Sequence, residues 1–189
     1  MHIVVDTSVA RAVGESGKQP AKACRDSLAA ILQDKHYHLA MNDTLKREWL
    51  KEREEGEEGE EGEEGEEGEE GEESSPYASR FALAWLTDME SEQRVKTFSE
   101  RKDFINQCIQ ASASLAAASA IQKDLHLVDL ALQADQRVLS TDKKIVGHLR
   151  QLGARVPEVC PILWVHPVDH DAPTWLAQGA PNRADCRIC

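Results

Sequence analysis

HIVVDTSV, residues 2–9, is the stretch on which the fold turns. Ile3, Val4 and Val5 are three aliphatic residues in succession, and the run ends on a carboxylate at Asp6. A strand with one wet face alternates apolar and polar residues. This one does not, so it predicts a strand buried on both faces, as in a parallel sheet.

Working outward, HYHLAM (36–41), RVLST (137–141) and VCPILWV (159–165) read as further strands, with Pro161 placing the last one at an edge. Helical spacing separates them. Residues 20–34 repeat apolar side chains at Ala21, Cys24, Leu28, Ile31 and Leu32, and Asn42 or Asp43 caps a helix carrying Leu45, Glu48, Trp49 and Leu50. Tyr77 to Met89 predicts an amphipathic helix with Phe81, Ala84, Trp85 and Met89 on its apolar face. Residues 98–122 are helix-compatible, 124–134 predicts a helix opened by a capping Asp, and 143–152 a helix stopped by Gly153. Strand and helix alternate, so the fold class is α/β, with a central parallel sheet and helices on both faces.

The chain has 189 residues and a formal charge of −12. That charge has one source. Residues 54–73 are 14 Glu and 6 Gly in a three-residue period, and the other 169 residues carry 20 acidic and 22 basic groups. Their apolar fraction is about 46%, ordinary for a globular domain. The tract has no apolar group to bury and repels itself, so residues 54–75 are expected to be a disordered insert in one domain spanning 1–165, followed by an extension at 166–189. An autoinhibitory arm and a docking site for a basic partner are alternatives to a tolerated surface loop.

No run approaches the roughly 18 apolar residues of a membrane helix. The N-terminus lacks the basic and long apolar regions of a signal peptide. Five cysteines make an odd set without disulfide-scaffold density, so free thiols and a cytoplasmic location are expected.

In open parallel sheets ligands bind at the carboxyl ends of the strands. That rule selects Asp6, Asp142 after RVLST, Glu48 after HYHLAM, and Asp124 at the start of the helix feeding RVLST. Clustered carboxylates are unfavourable unless a cation sits among them. Mg²⁺ and Mn²⁺ prefer carboxylate oxygen and share substrate phosphate. The chemistry indicated is metal-dependent phosphodiester hydrolysis. The competing reading for any one Asp is a turn or helix cap.

Four segments carry a resemblance: VVDTSV (4–9), MNDTLKREW (41–49), DLHLVDLAL (124–132) and VLSTDKKI (138–145). Together they resemble PIN-domain ribonucleases over residues 1 to about 165. The resemblance implies a PIN-like three-layer α/β/α sandwich and endonuclease cleavage of single-stranded RNA. The metal, Mg²⁺ or Mn²⁺, would be held by Asp6, Glu48, Asp124 and Asp142. Ser140 matches the family's hydroxyl position; Thr7 and Ser8 would support Asp6. Lys143 and Lys144 are candidate phosphate contacts. Partners implied are single-stranded RNA, an antitoxin protein if the chain is a toxin of a toxin–antitoxin pair, and a second copy in a homodimer, with no membrane. A non-catalytic PIN-like module binding RNA or protein is the alternative, and a DNA-acting nuclease a third.

Asp129 competes with Asp124 for the third position. The two lie five residues apart on one helix, about 140° around its axis, so one pocket cannot take both. Asp124 starts its helix near the strand ends and is preferred; Asp129 reads as a surface or supporting carboxylate. His166, His170 and the Cys186–Cys189 pair could be assembled into a metal site on paper, but a Pro-rich tail with scattered His reads better as loop. Trp49, Trp85 and Trp164 read as core rather than base-stacking residues.

Overall fold

The computed structural model describes residues 1–14, 17–50 and 78–189. Five strands form one sheet: β1 (His2–Val5), β2 (His38–Met41), β3 (Val95–Thr97), β4 (Arg137–Leu139) and β5 (Leu163–Val165). Every pairing is parallel, in the order β3-β2-β1-β4-β5. β1 is the middle strand, and Val4 pairs with Ala40 on one side and Val138 on the other. Val4 and Val5 are fully buried, as an unalternating apolar run requires.

The strand order reverses direction at β1. Helices α1 (Thr7–Ala12), α2 (Ala21–Gln33), α3 (Asp43–Leu50) and α4 (Arg80–Ser91) lead from β1 through β2 to β3. Helices α5 (Lys102–Ala111), α6 (Leu115–Gln122), α7 (Leu125–Gln133) and α8 (Lys144–Gly153) lead from β3 back to β4 and on to β5. Right-handed crossovers put these two sets on opposite faces of the sheet. The packing agrees: α2 touches α1 and α4, while α6 touches α5 and α8. The architecture is α/β around an all-parallel sheet, consistent with a three-layer sandwich.

Several elements depart from their expected form. β3 is not expected from sequence; it has three residues, two of them exposed, so it lacks an apolar signature. β5 occupies only 163–165 because Pro157–Val159 is a 3-10 turn, and Pro161 precedes the strand; β5 is nonetheless an edge. The helix-compatible stretch 98–122 breaks at Ser112–Ser114, where Ser114 caps α6 by accepting from the Ala117 N–H. Ser79 caps α4 and the buried face is Ala82, Trp85, Leu86 and Met89, leaving Phe81 exposed. Asn42, rather than Asp43, caps α3 by accepting from the Leu45 N–H at 2.8 Å. Trp49, Trp85 and Trp164 are buried, with the first two rings 6.1 Å apart.

The segment 166–189 is built into the same core. Helix α9 (Ala172–Ala177) packs on α2, with Trp175 and Leu176 buried. The Tyr37 hydroxyl donates to the Leu176 carbonyl at 2.6 Å. Arg187 bridges Leu163 across the β5 edge, and the Ile188 N–H donates to the Ile162 carbonyl at 3.0 Å. Cys189 is disulfide-bonded to Cys160, so the expectation of five free thiols does not hold, and Cys186 is buried alone. An edge strand with open backbone groups invites pairing with another chain, and the tail occupies that position. His166 Nδ1 accepts from the Val168 and Asp169 N–H groups, and His170 Nδ1 from the His166 N–H. Both imidazoles thus stitch a turn.

Arg94, 4% exposed, enters β3 from below and donates to the carbonyls of Ile31, Leu32, Asp34 and Tyr37. It satisfies the last turn of α2 and the approach to β2 together. The Glu/Gly tract and its expected disorder lie outside the described residues. On either side of residues 51–77, however, the Ala78 N–H donates to the Trp49 carbonyl at 3.2 Å.

Candidate functional site

Asp6 follows β1 directly and is the N-cap of α1. Its Oδ1 accepts from the Ser8 N–H at 3.2 Å. Its Oδ2 accepts from two hydroxyls, Ser8 Oγ and Ser140 Oγ, each at 2.6 Å. Ser140 follows β4 and is fully buried, and its oxygen also accepts from the Asp142 N–H at 3.0 Å. Ser8 Oγ accepts in turn from the Thr141 N–H at 3.1 Å. Two hydroxyls thus lock the ends of β1 and β4 together and fix the rotamer of Asp6. This is the place where the strand order reverses, which in open parallel sheets is where ligands bind.

Asp142 Oδ1 accepts from the N–H groups of Lys144 and Ile145 at 2.8 and 3.3 Å, opening α8. Asp124 stands at the N-cap of α7 yet makes no capping bond. Its Oδ2 is buried without a hydrogen-bond partner. Burial raises this carboxyl to about 6, with Lys123 opposing and the charges of Asp6 and Asp142 adding to the rise. Asp6, Asp124 and Asp142 therefore share one electrostatic neighbourhood.

Glu48 reaches the same region from α3, one side chain farther out. Its Oε2 accepts from Thr7 Oγ1 at 2.9 Å and lies 3.5 Å from His126 Nε2, an ionic contact too long for a good hydrogen bond. His126 Nδ1 meets the Lys123 carbonyl at 2.8 Å, which makes that nitrogen the N–H donor. Burial would raise Glu48, but His126, the Thr7 hydroxyl and Arg11 outweigh it and hold the carboxyl below its ordinary value. Burial would likewise lower His126, and Glu48, the Lys123 carbonyl and Asp124 outweigh it and hold the imidazole above its own.

The remaining sequence candidates separate cleanly. Asp129 is fully buried rather than on the surface, and it is spent: Arg101 Nε donates to Oδ1 at 2.6 Å, and the Arg101 N–H and Gln133 Nε2 donate to Oδ2 at 2.9 and 3.0 Å. Lys143 pairs with Asp169 at 2.5 Å, and Lys144 is exposed beside it. Ser8 and His126 do more than their sequence signals suggest. Ser8 lies two residues from Asp6, the spacing of a side chain that turns back on a local acceptor. Nothing in the sequence singles out His126 except its place in the first turn after Asp124.

Hard cations take oxygen donors, and an orphaned carboxylate oxygen beside two further carboxylates is a fitting donor set. Among the described residues no group of three or more His, Cys, Asp or Glu side chains stands close enough together to hold a metal ion as the chain is folded. Comparisons of the chain with protein-family models, with curated proteins and with solved structures return no match.

Proposed function

We propose that the chain is a metal-dependent endoribonuclease of PIN type that hydrolyses phosphodiester bonds of single-stranded RNA. The observation that carries this reading is Asp124: a buried carboxylate oxygen with no partner, its pKa raised to about 6 by burial and by the charges of Asp6 and Asp142. A fold does not leave such a group unpaired at a strand switch point without a cost, and a bound cation removes that cost. Asp6, Asp124 and Asp142 would hold Mg²⁺ or Mn²⁺, with Glu48 at the outer side. When bound, such an ion neutralises the carboxylates, orients a phosphate and lowers the pKa of a bound water.

The chain's own residues preorganise that arrangement. Ser8 and Ser140 hold Asp6 in one rotamer. The Thr7 hydroxyl, next to Asp6 in the chain, donates to Glu48 and tethers it. The first N–H groups of α8 fix Asp142. Lys123, next to Asp124, adds a positive charge where an anionic backbone would approach.

Cleavage of a labelled single-stranded RNA with Mn²⁺ or Mg²⁺ tests the reading. Asp6→Asn, Asp124→Asn and Asp142→Asn should each fall to near background. Asp129→Asn should lose stability while the cleavage rate per folded molecule stays near that of the wild type. Equal rates in wild type and Asp6→Asn, or no cleavage by wild type, would sink it.

A further inference from the structure

Beside the acidic site runs an open groove of about 670 Å³ between α3, α5 and α6, within the size range of ligand pockets. Its apolar lining is Ile105 and Ile109, one turn apart on α5 and only partly buried. Asn106 and Gln122 add side-chain amides, each with donors and an acceptor. Glu100 lines the same groove, and its Oε1 is buried with no hydrogen-bond partner. Glu48, Lys123 and His126 belong both to this groove and to the candidate site. The two are therefore continuous.

We infer that this groove is a subsite for an unpaired nucleobase that carries an exocyclic amino group. The inference rests on the reading of the acidic site as one that engages single-stranded RNA, and it adds where the neighbouring base goes and which bases fit. A flat heterocycle covers the exposed Ile105 and Ile109 methyls. Its edge meets amides that both donate and accept, the recognition used on single-stranded bases. The orphaned Glu100 oxygen is an acceptor, and an amino group of cytosine, adenine or guanine is the donor it lacks. Uracil offers a carbonyl in place of cytosine's amino group, so only its ring N3–H, set deeper on the edge, is left to donate to Glu100. A duplex is excluded because its stacked bases have no free face to lay over Ile105 and Ile109. The Glu-rich segment 54–73 of the chain itself is a poor occupant, since Glu48 and Glu100 repel it.

The test is fluorescence anisotropy of full-length protein with 5′-labelled octamers rC8, rA8 and rU8, in EDTA so that none is cut. Wild type should bind rC8 and rA8 roughly tenfold more tightly than rU8. Glu100→Ala should close that gap, and Glu100→Gln, which supplies an amide N–H, should improve rU8 selectively. Ile109→Trp should fill part of the groove and weaken all three. Asn106→Ala, at an exposed position, should weaken rC8 and rA8 with an unchanged melting temperature, so the result does not hang on a variant that fails to fold. Equal affinity for the three octamers, no binding at all, or indifference to Glu100 and Asn106 substitution would overturn the subsite. Cleavage in Mn²⁺ is scored separately. Base-selective binding without cleavage removes the nuclease reading and leaves the subsite standing, whereas cleavage by a protein blind to these substitutions does the reverse.

Discussion

Asp124 shows what a single carboxylate costs when nothing neutralises it. Its carboxyl sits near 6 in the folded chain, raised by burial and by Asp6 and Asp142, while the unfolded chain keeps the ordinary value. Between those two values the folded state holds the extra proton, so this group's contribution to stability is intact at low pH and is lost as pH rises through about 6. In EDTA at pH 7.5, Asp124→Asn should therefore raise the melting temperature by about 2–6 °C, with the gain shrinking as the pH is lowered toward 4. Calorimetric scans of both proteins over that range check it; a lower melting temperature for the variant at pH 7.5 would mean the carboxylate is stabilised by something else. Asp129, five residues on, is the opposite case: three N–H donors, one of them a guanidinium's, meet it, and it belongs to the fold. Sequence distinguished the two by helix geometry alone and had no means of seeing Arg101 arrive from 28 residues away.

At the scale of elements, Arg94 is the most consequential side chain that carries no chemistry. Its guanidinium closes the end of α2 and holds the approach to β2, so the helix and two strands share one buried charge. Arg94→Met should cost roughly 3–5 kcal/mol in urea unfolding, because several buried carbonyls lose their donor at once. Arg94→Lys should recover only part, since an ammonium cannot span the same fan of acceptors. A loss under about 1 kcal/mol would show that water replaces the guanidinium. The elements legible in the sequence were those with a short apolar run, β1, β2 and β4, or a helical apolar period, α2, α7 and α8. β3 stayed hidden because three residues with two exposed carry no period, and what fixes them is Arg94 and pairing to β2. The acidic positions could be read because the sheet rule names strand ends. The hydroxyls that hold them and the groove beside them could not, because Ser8 and Ser140 are 132 residues apart and meet only in the fold.

For the whole molecule, charge is the governing quantity. Removing residues 54–73 takes out 14 Glu and changes the formal charge from −12 to +2. The deletion should leave the melting temperature within a few degrees and strengthen RNA binding, most at low salt, because long-range repulsion is screened as ionic strength rises. A titration from 50 to 300 mM KCl on both proteins measures it; equal affinities at every salt would show that the tract's charge never reaches the substrate's path. The bond from Ala78 to the Trp49 carbonyl explains why the fold should tolerate the change, since the chain leaves and re-enters at one point. A closed stem of that kind is also a port. A small reporter module with adjacent termini could be spliced there in place of the repeat and would begin six residues beyond Glu48 in the chain. It would attach a light-emitting probe through the Trp49–Ala78 closure, with every side chain of the acidic site left unchanged in the sequence.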